Sequence, residues 1–285
     1  MSEIQCSSRT RQVSVANDYL NVVLVLQLCH KSFRMHGHWR YLPKFMDLSI
    51  IIPAFNEAGK IRHTCVNALT FIAKSDLQGE LIIVDDGSTD GTADCIESRA
   101  AGTTRIIQHA VNEGKGSACR TGVLAARGKN ILVVDCGPNV DFRYALDGLR
   151  LLQNGQSEIA HGSRRLPESQ ILIHPALHRR YLSFTFQKLI HLFFPLPRHL
   201  TDTQCGFKLY RAKAAKELFR PTFTKGFMID IEIILRASAA GHSIIEFPVA
   251  WESDPESSIS FRRHALQMCC ELYKIRRALL VSPQL

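Results

Sequence analysis

Four short apolar runs, each closed by a polar or acidic loop, constrain this chain more than any other feature. They are Leu48–Ile52, Leu81–Val84, Arg105–Gln108 and Asn130–Val134. The first two and the last are rich in β-branched residues with no polar alternation, the pattern of strands buried on both faces of a parallel sheet. Helical spacing follows the first run, with Ile61, Cys65, Ala68, Leu69 and Ile72 on one face. A helix is expected over Thr92–Arg99, with Thr89 or Asp90 as its cap, and another from Gly116 to Ala126. This alternation predicts an α/β fold with a mostly parallel central sheet and helices on both faces. Such sheets bind ligands beyond the carboxyl ends of their strands. Pro53–Glu57, Asp85–Ser88 and Asp135–Asn139 all fall at that edge and are expected to converge on one site.

Composition narrows the classes. The 285 residues carry 35 basic and 26 acidic side chains, a formal charge of +9. With 46% hydrophobic residues, wholesale disorder is excluded. The longest apolar runs, Tyr19–Cys29 and Leu189–Leu196, fall short of the roughly 20 residues of a membrane-spanning helix. A basic surplus suits nucleic acid, an anionic membrane surface or a phosphate-bearing substrate. No recognition helix, RNA-binding signature or zinc module is present, so nucleic acid is not expected as a partner. Nine cysteines without metal-ligand spacing read as reduced thiols of a cytoplasmic protein. Residues 1–45 lack both strand-turn-helix grammar and a secretory signal, and are expected to form a poorly ordered extension. A membrane-surface helix over Tyr19–Phe33 is a weak signal within it.

The strand-end motifs carry a resemblance. Pro53-Ala-Phe-Asn-Glu57, Val84-Asp-Asp-Gly-Ser-Thr-Asp-Gly-Thr92 and Asn112-Glu-Gly-Lys-Gly116 resemble the nucleotide-sugar half of inverting glycosyltransferase family 2. Gly162-Ser-Arg164, Asp202-Thr-Gln-Cys-Gly-Phe-Lys208 and Asp230-Ile-Glu232 extend it in the right order, in a form most similar to the polyprenyl-phosphate branch of dolichyl-phosphate mannose and glucose synthases. The resemblance implies an A-type glycosyltransferase (Rossmann-like) fold, a catalytic domain over 46–260 and a basic amphipathic helix over 261–285. It also implies transfer of a hexose from a nucleoside diphosphate sugar to a polyprenyl or dolichyl phosphate. Pro53, Ala54, Glu57, Asp85, Asp86 and Lys115 would then line the nucleotide. Asp85 and Asp86 suit base and ribose donors as acidic strand-end residues do in dinucleotide folds.

The metal motif departs from the family. Asp135-Cys-Gly-Pro-Asn139 retains Asp135 and Asn139, but Gly137 stands where a second Asp belongs. Mg²⁺ or Mn²⁺ could still bind through Asp135, Asn139 and the donor diphosphate, more loosely; Asp141 is an alternative ligand. A metal-independent or catalytically silent relative is the competing expectation.

On the acceptor side, a lipid phosphate is largely anionic at neutral pH and needs positioning more than a strong base. Arg164, with Arg179 or Arg180 and Ser183, matches the family's phosphate-binding positions, and arginine suits phosphate by bidentate hydrogen bonding. Asp202, Gln204 and Asp230 are expected with Asp135 at the reaction centre. A hydroxyl acceptor would instead need Asp202 or Asp230 as a base. Trp251 and Ser257–Ser260 resemble the family's last loop, expected to close over the donor. Basic and aromatic residues over Ile173–Leu200 and Phe261–Leu280 fit a peripheral position on the cytoplasmic face of a membrane or packing in a homo-oligomer.

Overall fold

A computed structural model describes residues 46–96, 103–254 and 261–281. The extension over 1–45 with its weak helix signal, the end of the expected Thr92–Arg99 helix and the Ser257–Ser260 loop lie outside the described residues.

Strands β1 (Leu48–Ala54), β2 (Gly79–Asp85), β3 (Thr104–Gln108) and β4 (Asn130–Val134) form the parallel half of a seven-stranded sheet. Its order is β3-β2-β1-β4-β7-β5-β8, with β5 (Ile159–Ser163), β7 (Phe207–Arg211) and β8 (Ile244–Pro248). The double-sided burial read from the sequence has a direct cause in β1. Ile51 packs into one core layer and Ile50 and Ile52 into the other, all fully buried. Each such side chain stabilises the fold by about 1.5–3 kcal/mol. The Ile51 layer lies under α2 (Lys115–Ala125), α5 (Ala212–Phe219) and α6 (Ile229–Ala239), and the other lies under α1 (Ala58–Lys74) and α3 (Ala145–Gln153). In place of the Thr92–Arg99 helix, the described residues hold a 3₁₀ turn at Ala93–Cys95. Asp90 serves both ends of this corner: its Oδ1 accepts from Thr92 N at the start of that turn, as expected of a cap, and its Oδ2 accepts from Ala58 N at the start of α1.

One strand runs against the rest. β7 is antiparallel to both β4 and β5, with Phe207 opposite Val134. Its amino end therefore lies at the carboxyl edge of β4, which delivers Asp202–Gly206 to the same edge as the acidic loops. After β5 the chain forms β6 (Gln170–Ile173) and α4 (Leu177–Phe193), and β6 pairs with β9 (Ala250–Glu252) in a small second sheet. The last helix, α7 (Phe261–Val281), docks through the fully buried Ile275 onto the layer that contains α6.

Candidate active site

Two cavities of about 510 and 500 Å³ open at the carboxyl edge, each within the usual range for small-molecule sites. The larger is acidic and lysine-bearing. Of the expected nucleotide residues, Pro53, Ala54, Glu57, Asp86 and Lys115 line it, together with Asp135 and Asn139. Lys115 Nζ lies 2.6 Å from Asp135 Oδ1. Burial alone would lower the Lys115 pKa, but the charges of Asp135 and Asp230 outweigh it and raise it, so the ammonium is permanent. Lys60 Nζ lies 2.7 Å from both Glu57 Oε2 and Asp254 Oδ2. Burial pushes the Glu57 carboxyl up against the opposing pull of Lys60.

Asp85 does not reach this cavity. Its oxygens accept from Ser88 N at 3.0 Å and Gln108 Nε2 at 3.3 Å, contacts that brace the loop against β3. Asp86 is also largely committed: Oδ1 accepts from Glu113 N and faces His109 Nδ1, and Oδ2 accepts from Gly114 N. It fixes the turn that aims Lys115. Asn56, at φ +53°, cross-links the neighbouring loops through Ser88 and Thr89.

The smaller cavity is cationic and aromatic, lined by Arg164, Arg165, Arg180, Ser183, Phe184 and Trp251 among others. Arg164 is fixed from behind by Asp202, which is 1% exposed. Asp202 Oδ2 accepts from Arg164 Nε at 2.6 Å and Oδ1 from Nη2 at 2.8 Å, a bidentate pair. Glu246 Oε1 in turn accepts from Asp202 N at 2.7 Å. Burial would raise the Asp202 pKa, but the Arg164 charge and hydrogen bonds bring it down to about 2. The guanidinium stacks over Trp251 at 5.2 Å. Arg165, absent from the expected set, donates to Ser183 Oγ at 3.3 Å. Arg180 borders the cavity; the side chain of Arg179 lies outside the described residues.

The acidic loops and Arg164 were expected around one space; the structure places them around two adjoining ones. Asp135 N donates to Gly206 O, so the segment that backs Arg164 through Asp202 also touches Asp135. On the other side Glu252 N donates to Asn139 O, and Val140 bridges Trp251. Asp202 and Gln204 line neither cavity; Gln204 N donates to Asp202 Oδ1. Asp230 likewise sits behind the site, paired with Lys208 Nζ at 2.8 Å. Burial would raise its pKa, and Lys208 and then Lys115 hold it below the usual carboxylate value. The sequence reading missed Asp254, Phe227 and Gln267 as lining residues, because none belongs to a strand-end motif.

Among the described residues, no group of three or more His, Cys, Asp or Glu side chains is placed to hold a metal ion. Asn139 Oδ1 is nevertheless buried without a hydrogen-bond partner, on the same cavity as Asp135. One carboxylate and one free amide oxygen fit a Mg²⁺ or Mn²⁺ whose remaining oxygens come from a diphosphate and water. They do not suffice for an ion held by the protein alone. Asp141 is engaged elsewhere, capping its own turn and pairing with Arg143. Gly137 has φ +131°, a conformation an aspartate there would adopt only under strain.

Residues 49–219 match the family model described as glycosyl transferase family 2. The dolichyl-phosphate beta-glucosyltransferase of Saccharomyces cerevisiae is 31% identical over 254 residues, covering 82% of this chain and 75% of the relative. The Homo sapiens protein of the same name is 30% identical, with coverages of 84% and 79%. Among solved structures, mannosyl-3-phosphoglycerate synthase from Rubrobacter xylanophilus superposes with a TM-score of 0.61 at 19% identity, covering 84% of this chain and 76% of that one. Glucosyl-3-phosphoglycerate synthase from Mycobacterium tuberculosis, in complex with Mn²⁺, UDP-glucose and phosphoglyceric acid, gives 0.61 at 16% identity, with coverages of 85% and 86%.

Proposed function

The chain belongs to glycosyl transferase family 2 and has the A-type fold, and from that premise we propose that it transfers glucose from a nucleoside diphosphate donor to dolichyl or another polyprenyl phosphate, with inversion to a β-linkage. The observation that carries this is the pairing of an acidic, lysine-bearing cavity with an adjoining arginine cavity across the Asp202–Gly206 segment. The choice of glucose follows the names of the similar proteins.

The donor nucleotide lies in the larger cavity, its diphosphate toward Lys115, Asp135 and Asn139. A divalent cation, when bound there, supplies charge stabilisation for the departing diphosphate. Lys115 adds a fixed ammonium at the same place. In the second cavity Arg164, Arg165 and Arg180 hold the acceptor phosphate beside Ser183. One phosphate oxygen attacks the anomeric carbon from the face opposite the leaving group, through an oxocarbenium-like transition state. Asp202 orients Arg164, and Asp230 orients Lys208. With Asp202 near pKa 2 and Asp230 also depressed, both are weak bases, which disfavours a hydroxyl acceptor.

The surface around the second cavity fits a lipid substrate. Helix α4 exposes Leu177, Tyr181, Phe184, Leu192 and Phe193, with Arg180 and Lys188 among them. Such a face suits peripheral contact with an anionic bilayer. No helix among the described residues is long and apolar enough to cross a membrane.

Incubation of the purified chain with UDP-glucose or GDP-mannose and dolichyl phosphate tests the proposal. A β-linked glucosyl lipid phosphate is expected, with its anomer read by NMR; an α-linked product, or transfer of neither sugar, contradicts it. The incomplete ligand set makes a second prediction. Mn²⁺ should give no binding isotherm with the protein alone and a clear one once UDP or GDP is present. Equal binding in both cases would mean that the protein holds the ion unaided.

A further inference from the structure

We infer that Gln267 and Glu271 of the C-terminal helix α7 are positioning residues of the nucleotide cavity, rather than parts of a helix that only packs or docks. The inference rests on the donor reading of that cavity. Helix α7 lies beyond the segment that matches the family model. It nevertheless reaches the cavity, because Gln267 lines it together with Gly226 and Phe227.

The contacts form a continuous path. Glu271 is only 8% exposed, and a carboxylate so placed is costly unless its oxygens are used. They are: Oε2 accepts from Met228 N at 3.1 Å and Oε1 from Gln267 Nε2 at 3.1 Å. Gly226 is the residue that permits this approach, since a Cβ there would stand 2.2 Å from Glu271 Oε1 and 2.5 Å from Gln267 Nε2. The residue before it, Lys225, accepts through its carbonyl from Gly116 N at 2.7 Å and Ser117 N at 3.2 Å. Those amides belong to the first turn of α2, which begins with Lys115. Two residues beyond the glycine, Met228 leads directly into α6, whose Asp230 pairs with Lys208. One buried carboxylate on α7 thus holds a turn that fixes both Lys115 and the start of α6. A helix serving only to pack needs Ile275, Met268 and Leu272 against the core, and has no use for a buried Glu over a glycine.

Nucleotide titration of the full chain tests this, with UDP and GDP as probes. Glu271→Ala is expected to weaken binding of whichever nucleotide the wild type prefers by about tenfold, the equivalent of one lost charge-assisted hydrogen bond. The KM for the donor should rise in proportion and kcat should fall with it, because the same turn aims Lys115 at the leaving group, while the acceptor KM stays within about twofold of wild type. Glu271→Gln should recover most of the affinity, because its amide oxygen still accepts from Met228 N. Gln267→Ala, at an exposed position that does not threaten folding, should weaken binding by about threefold. A lowered melting temperature with unchanged nucleotide affinity in Glu271→Ala would reduce α7 to a packing role and overturn the inference. A wild type that binds nucleotide normally while all three variants match it would overturn the inference and leave the donor reading standing. A wild type that binds neither nucleotide overturns the donor reading, and this assignment with it.

Discussion

Asp202→Asn is expected to destabilise the protein by about 3–5 kcal/mol and to remove nearly all transfer activity. The substitution keeps the shape and removes the charge. Arg164, which lies beside it with 22% side-chain exposure, then loses its bidentate partner at 2.6 and 2.8 Å. Breaking a buried pair from one side costs far more than the pair is worth, because the remaining charge stays desolvated. The guanidinium would also swing away from its place over Trp251 and lose its aim into the arginine cavity. Urea denaturation reads the first effect, and the acceptor KM reads the second.

The same pair gives a pH dependence with a defined sign. The Asp202 carboxyl falls from 3.8 to about 2 on folding, since the Arg164 charge overcomes the cost of burial. A folded value below the unfolded one means that stability is present above about pH 4 and is lost as the pH falls toward 2, worth about 2 kcal/mol in all. The wild type should lose that increment on acidification, and the Asn variant should lack it. Parallel acid-denaturation curves for the two proteins would contradict the pairing.

Asp135→Asn is the second large effect, an expected fall of about 10²–10³ in kcat. The carboxylate is the charged residue that the metal motif retains for a diphosphate-borne cation, and it also anchors Lys115 at 2.6 Å. Its loss withdraws stabilisation where charge develops on the leaving group. The acceptor KM should change little, because Arg164 is held independently by Asp202. Single-turnover rates with saturating donor separate the two quantities. A kcat within threefold of wild type would remove Asp135 from the reaction centre.

The parallel half of the sheet was legible because buried β-branched runs leave few other options. The direction of β7 was not, since Phe207–Arg211 carries the same apolar signal whichever way it runs. At the site, the acidic loops were found by their position at strand ends. The direction each side chain takes was not legible, because a strand-end carboxylate reads identically whether it points at a cavity or back into its own loop. Asp85 does the latter, held by Ser88 and Gln108. Arg165 escaped notice for a related reason: adjacent arginines differ only in where the backbone turns after β5. Asp254 and Gln267 join the cavity from more than 100 residues beyond Asp135, a proximity created by tertiary packing rather than by any local spacing.

The most direct measurement compares dolichyl phosphate with dolichol as acceptors, under identical donor and vesicle conditions. If the arginine cavity exists to hold an anion that attacks the sugar without a base, labelled glucose should pass to the phosphate and none to the alcohol. Arg164→Ala should then suppress that transfer. Equal transfer to both acceptors, or transfer indifferent to Arg164, would contradict the account.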